Sequence, residues 1–293
     1  MGLVAGSSVL GMLIPPSLLL ILYGLLTEQS IGDLFVAGIG PGLLLAVLFG
    51  IGTLLLAQFA PGFVGRNLSQ DSSKMSSVEL LAKGLPITGL IVLVLGGIYA
   101  GVFTPVEAGA VGTVAALVIG LAKRSLSLSG LWRVLVETGL VTASVCFLII
   151  AAQMYSRMLA FSGLPNTFGE FVTGADLGLI GLICLYVLVV ILFGMILDSS
   201  SIMLILVPLM LPILQPMGVD LVWFGIITVI AVEIGLLTPP FGISVYVIKS
   251  TLNDPAIKLS DIFLGAAPFA LMMLICLFAV IVFPSIATGF LGR

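Results

Sequence analysis

The sequence predicts an all-α polytopic membrane protein built as an inverted repeat, with broken helices and a re-entrant hairpin. Three observations carry that prediction. The 293 residues are 60% hydrophobic and 8% charged, with a mean hydropathy of +1.37, whereas soluble domains carry about 25% charged residues. Apolar runs of the length a bilayer-crossing helix requires, ~20 residues, recur along the chain. And GMLIPPS at 11–17 returns as GLLTPPF at 235–241.

Composition also excludes function classes. A net charge of -3 leaves no basic patch for nucleic acid. There is no histidine, so histidine catalysis, histidine proton relays and most transition-metal centres are ruled out. Neither a cofactor nor an enzymatic activity is expected. The three cysteines, Cys146, Cys184 and Cys276, lie far apart in apolar runs and read as small buried hydrophobes. The N-terminus lacks a basic region and a small-residue cleavage site, so the first apolar run reads as a retained span.

The elements follow in order. Residues 1–58 hold a broken helix, 3–26, and one span, 34–58. Residues 59–84 contain the most polar stretch, GFVGRNLSQDSSKMSSVELLAKG at its widest, and read as a cytoplasmic linker with a short surface helix. Residues 85–293 read as a complete second unit: spans at 85–103, 104–122 and 134–160, a shorter polar break at 162–176, a hairpin at 177–217, a broken helix at 221–248 and a span at 263–291.

Segment 177–217 is apolar on both sides of Asp198-Ser199-Ser200-Ser201. One crossing, two crossings and a re-entrant hairpin are all conceivable. If the segment leaves on the side it entered, Arg66, Lys74, Lys83, Lys123, Arg124, Arg133, Lys249 and Lys258 share one face of the membrane. Arg157 and Arg293 then lie opposite. A single crossing gives a weaker bias, so the positive-inside rule disfavours it. An aspartate and three serines at the turn suit a lined cavity better than a bare loop.

The repeat extends past the prolines, since SIGDLFVAGIGPGLLLAVLF at 30–49 resembles SDIFLGAAPFALMMLICLF at 260–278. In this topology the two Pro-Pro helices run in opposite directions, the arrangement in which secondary transporters bring two discontinuous helices together at the bilayer midplane. About 150 residues precede the second break within its unit, but only fourteen precede Pro15. The first repeat is therefore incomplete. The expectation is that this chain is the C-terminal part of a longer protein, or that another polypeptide supplies the front of the unit.

Proline lacks an N–H and clashes with the preceding turn, so paired prolines leave carbonyls without partners. In hydrocarbon such groups are tolerated only in protein or beside a wet cavity. Carbonyls next to hydroxyls also suit a hard cation. Ser7, Ser8, Gly11, Ile14, Pro15, Pro16 and Ser17 surround the first break. Gly235, Thr238, Pro239, Pro240 and Gly242 surround the second, and the hairpin tip adds Gly194, Asp198, Ser199 and Ser201. Three acids at membrane depth, Asp198, Glu233 and Glu107, are candidates for substrate or coupling roles because burying a charge is costly.

Four ordered strings, GMLIPPSLLLILYGLLTEQSIGDLFVAGIGPGLLL, GGIYAGVFTPVEAGAVG, FGMILDSSSIMLILVPLMLPI and EIGLLTPPFGISVYVI, resemble the large membrane subunit of tripartite ATP-independent periplasmic (TRAP) transporters over essentially the whole chain. The resemblance implies a Na+-driven elevator-type symporter in the bacterial inner (cytoplasmic) membrane. Its partners are a small membrane subunit and a periplasmic substrate-binding protein that delivers an organic acid such as a C4-dicarboxylate or sialic acid. Carried across, one Na+ site uses Gly194, Ser199 and Ser201 with Gly235, Thr238 and Pro240. The other uses Gly11, Ile14, Pro16 and Ser17, and its facing hairpin is absent from this sequence. Asp198 falls at the family's hairpin aspartate, near the substrate path. Two other readings stay open: a proton- or ion-coupled permease or antiporter that works without a binding protein, with Asp198 and Glu233 as carriers, and an inactive fragment of a longer transporter.

Overall fold

The computed structural model describes residues 2–60, 77–164, 167, 174, 178–252 and 257–291. The polar stretch at 61–76, which contains Arg66 and Lys74, most of the break at 162–176, and Arg293 lie outside the described residues. Twelve helices are described: α1 Gly2–Leu13, α2 Leu18–Thr27, α3 Ile31–Phe59, α4 Ser77–Tyr99, α5 Pro105–Ala122, α6 Leu128–Ser162, α7 Gly178–Gly194, α8 Ser199–Leu214, α9 Leu221–Leu237, α10 Ile243–Leu252, α11 Leu259–Val282 and α12 Ser285–Thr288. Strands are absent among the described residues. With several helices long and apolar enough to cross a bilayer, the fold is that of a polytopic membrane protein.

Both Pro-Pro pairs interrupt a helix. The first separates α1 from α2, the second α9 from α10, and both peptide bonds are cis. The segment at 177–217 consists of two helices, α7 and α8, of 17 and 16 residues around the turn at 195–198. At 1.5 Å per residue each arm is about 25 Å long, short of a ~30 Å hydrocarbon core.

The chain forms two compact units, Met1–Gly65 with Ile149–Arg293, and Arg66–Leu148. In the smaller unit α4 packs against α5, and Thr104 and Glu107 close a capping box at the start of α5. In the larger unit α9 is the central element, with every residue from Val222 to Leu237 buried. A helix apolar on all sides belongs inside a bundle, and α1, α2, α3, α7, α8, α10, α11 and α12 pack around this one. Polar groups at its N-terminal end are tied down: Asp220 accepts from the Val222 and Trp223 amides, Tyr23 Oη donates to the Leu221 carbonyl at 2.6 Å, and Trp223 Nε1 donates to the Val280 carbonyl at 2.7 Å. The packing is also reciprocal. Helix α1 lies on α11 and α9 on α3, while α3 packs on α11 and α1 on α9.

Glycine sets how closely the hairpin approaches the second break. A Cβ on Gly235 would stand 2.6 Å from Gly194 Cα and 2.9 Å from the Ile191 carbonyl, so the ends of α7 and α9 meet backbone to backbone. Gly11, at the matching place before the first break, has nothing within 4 Å of an added Cβ. Gly235→Ala is therefore expected to destabilise the purified protein by the ~1–3 kcal/mol typical of overpacking. Gly11→Ala, with open space and better helix propensity, is expected to leave it unchanged or slightly more stable. Thermal unfolding of the two variants in detergent measures the difference.

Candidate functional site

At the first break, Ser17 is buried, 1% exposed. Its hydroxyl donates to the Met12 carbonyl and accepts from the Leu20 amide at 3.3 Å, which caps α2. One side chain thus satisfies a carbonyl freed by the prolines and an amide at the next helix start. The break rests on α3, where a Cβ on Gly38 would meet the Leu13 carbonyl at 2.8 Å and one on Gly42 would meet Ile14 Cγ1 at 2.7 Å. Pro16 and Gly11 face outward.

The second break uses the same device. Thr238 Oγ1 donates to the Ile234 carbonyl at 2.6 Å, and the Thr238 amide donates to Gly235. Pro239 and Pro240 are exposed. At both breaks the hydroxyl donates to a carbonyl of the helix preceding the break, and its oxygen keeps a lone pair that a cation could share.

At the hairpin tip, Asp198 is the N-cap of α8. One carboxylate oxygen accepts from the Ser200 and Ser201 amides, both at 3.1 Å, and the other from the Ser201 hydroxyl. Asp198 and Ser201 therefore have local partners, and these bonds cap the start of α8.

A cavity of about 320 Å³ joins these features. Ser8 and Met12 of α1, Asp198 and Ser199 of the hairpin, Glu233 of α9 and Ser244 of α10 line it. Of the residues singled out from sequence, Ser8, Asp198, Ser199 and Glu233 share this space, and Gly194 and Gly235 touch beside it. Gly11, Ile14, Pro16 and Ser17 gather at the first break, with Met12 reaching from there into the cavity. Glu107 lies in the other compact unit. It is exposed, and its Oε2 accepts from the Thr104 amide at 2.8 Å and the Thr104 hydroxyl at 2.9 Å.

Glu233 differs from the other acids. It is 2% exposed, and its Oε1 is buried with no hydrogen-bond partner, a costly condition for a carboxyl oxygen. Sequence reasoning missed Ser244, whose place on the wall depends on how α10 is rotated after the break.

Ser17→Ala leaves the Met12 carbonyl and a first-turn amide of α2 unsatisfied. Loss of a cap of this kind costs about 1 kcal/mol, so exchange of the Leu20 amide with deuterium is expected to accelerate roughly fivefold.

The model of the family described as tripartite ATP-independent periplasmic transporter, DctM component, matches residues 1–286. A C4-dicarboxylate TRAP transporter large permease protein of Pseudomonas aeruginosa is 34% identical over 292 residues, covering 98% of this chain and 66% of the relative. An ectoine/5-hydroxyectoine TRAP transporter large permease protein of Ruegeria pomeroyi is 34% identical over 98% of this chain and 66% of its own length. A sialic acid TRAP transporter large permease protein of Vibrio cholerae is 33% identical over 97% and 65%. The chain thus spans about two-thirds of the length of the curated relatives it matches, and it belongs to the DctM-component family of tripartite ATP-independent periplasmic transporters.

Proposed function

We propose that this chain is the permease subunit of a Na+-coupled, binding-protein-dependent transporter for small organic acids, working in the bacterial inner membrane. The observation that carries the reading is the cavity where the hairpin tip, the first broken helix and both halves of the second meet. Broken helices and a capped hairpin give a polytopic protein the lone pairs and helix ends with which an ion and an anionic solute can be held away from lipid. Family membership supports a transporter rather than an enzyme, with a small membrane subunit and a periplasmic binding protein as partners. The reciprocal packing of α1 on α11 and of α9 on α3 supports an inverted repeat, and an elevator movement of the hairpin and broken helices is the mechanism in keeping with it.

In this reading Na+ is a transported co-substrate. One ion takes oxygens from Gly194, Ser199, Ser201, Gly235, Thr238 and Pro240, and another from Gly11, Ile14, Pro16 and Ser17. The ions order the two breaks and offset the charge of the solute. Which acid is carried, within the range that the relatives' names span from C4-dicarboxylate to sialic acid and ectoine, depends on the cavity wall and on the delivering protein.

The test is uptake into proteoliposomes containing the chain and its small subunit, with loaded binding protein outside. Uptake is expected to require an inward Na+ gradient. Thr238→Val removes the hydroxyl while keeping its shape, and is expected to raise the half-saturating Na+ concentration at least tenfold, about 1.4 kcal/mol. Thr238→Ser is expected to stay near the unmodified protein. Uptake driven by a proton gradient in the absence of Na+ would contradict the reading.

A further inference from the structure

We propose that the groove between α7, the end of α9 and α11 holds an acyl chain of an anionic membrane phospholipid, its headgroup at the Lys258 end. The groove is separate from the hairpin-tip cavity and does not depend on the ion or solute carried. The first observation is one face of α11. Ser260, Leu264, Ala267, Leu271 and Leu274 follow one another at steps of three and four, which places them on one side of the helix. All five line the groove, and Leu264 and Leu271 are exposed. Ile262, Phe269, Met273 and Cys276, on the other side, are buried in the bundle. Ala267 and Ala270 stand between larger side chains and leave a trough there, with Ile191 and Leu237 on its opposite bank. The groove has a volume of about 770 Å³, more than twice that of the hairpin-tip cavity, about 320 Å³.

The second observation is the length and polarity of the groove. Helix α11 is apolar and long enough to span a bilayer, so this face lies at the depth of lipid tails. Leu274 lies fourteen residues beyond Ser260, about 21 Å along a helix that rises 1.5 Å per residue. One leaflet of hydrocarbon is about 15 Å thick, half of a ~30 Å core, so the groove accommodates a whole acyl chain. Trp223 at the start of α9 bonds Val280 near the end of α11, and a Cβ on Gly242 would meet the Phe263 ring at 2.6 Å. The two helices are therefore antiparallel, and the second break sits beside the start of α11. The polar wall residues, Thr238 and Ser260, fall at this end, where Lys258 is exposed two residues ahead of Ser260. The far end, at Ala270, Leu271 and Leu274, is apolar. A basic, polar entrance that leads into an apolar trough one leaflet long matches an anionic phospholipid. In the topology read from sequence, Lys258 also stands on the membrane face that gathers most Lys and Arg, and anionic headgroups are drawn to such residues. The bound chain would lie against Thr238 and Pro239 and so back the second break from the lipid side.

The test is photolabelling of the purified chain in phosphatidylcholine nanodiscs. The probe is phosphatidylglycerol with a diazirine at the end of one acyl chain, added as a minor component, and labelled residues are mapped by mass spectrometry. Label is expected to concentrate at the far end of the groove, around Leu271 and Leu274, above its level on the exposed Leu140 and Val141 of α6. Excess unlabelled phosphatidylglycerol is expected to compete away the groove label and leave that on α6. Ala267→Trp fills the trough and displaces methylene groups from apolar contact, so groove labelling is expected to fall about tenfold. Lys258→Gln is expected to remove the preference for this probe over its phosphatidylcholine counterpart. Label spread evenly over α6 and α11 and not competed would overturn the proposal, because the groove would then meet only boundary lipid. A headgroup preference unchanged in Lys258→Gln would overturn it as well. So would loss of the groove label on adding the small subunit while label elsewhere on the chain persists, which would give the groove to protein. The competition arm uses the unmodified chain, so it decides the matter even if Ala267→Trp fails to fold. No gradient or solute enters, so the result is read independently of the uptake test.

Discussion

Backbone hydrogen bonding in hydrocarbon is the constraint from which the rest of this structure follows. A bilayer offers no water to an unpaired carbonyl, so every break in a spanning helix must be closed by protein or opened to a polar cavity. The two Pro-Pro pairs create such breaks, and Ser17 and Thr238 answer them in the same way, each returning its hydroxyl to a carbonyl of the preceding helix. The breaks are therefore stable features with defined geometry rather than frayed ends. The burial of α9 on all sides extends to Leu237, just ahead of the exposed Pro239 and Pro240.

The two breaks are alike in chemistry and unlike in surroundings. Gly235 lies against Gly194, so the hairpin α7–α8 closes over the second break at backbone distance. Gly11 stands in open space, so no corresponding cover lies over the first among the described residues. This difference places the two ends of the cavity on unequal terms: one wall is the capped hairpin tip, and the other is the exposed face of α1 with Val4, Ser8 and Met12. Between them stands Glu233, the only buried side-chain oxygen among the described residues without a hydrogen-bond partner.

What could be read from sequence follows from which physical rule acts locally. The helix breaks were legible because proline acts on its own turn, and the turn between α7 and α8 because an Asp-Ser-Ser-Ser tip interrupts two apolar runs. The capping role of Asp198 is equally local, yet a membrane-depth acid invites a functional reading first, and only the two amide contacts reveal the structural task it already performs. Glu107 is similar: Thr-Pro-Val-Glu is a helix-start signature, and the capping box bears its geometry out. The cavity was illegible as a whole. Ser8 and Ser244 lie far apart in the chain, and their convergence depends on helix rotation after each break, which no spacing rule supplies. The contact of Gly194 with Gly235 likewise spans a packing interface that sequence periodicity does not specify.

The hairpin tip and the first broken helix meet at one cavity, and the proposed site requires that meeting. The most direct measurement is cross-linking of Ser8→Cys to Ser199→Cys with dibromobimane, which becomes fluorescent on bridging two thiols, after Cys146, Cys184 and Cys276 are replaced by serine. Both positions line the cavity, so the double variant is expected to fluoresce and each single variant to stay dark. A dark double variant with both thiols reactive to a monofunctional reagent would contradict the account, because the two halves of the site would then not face each other.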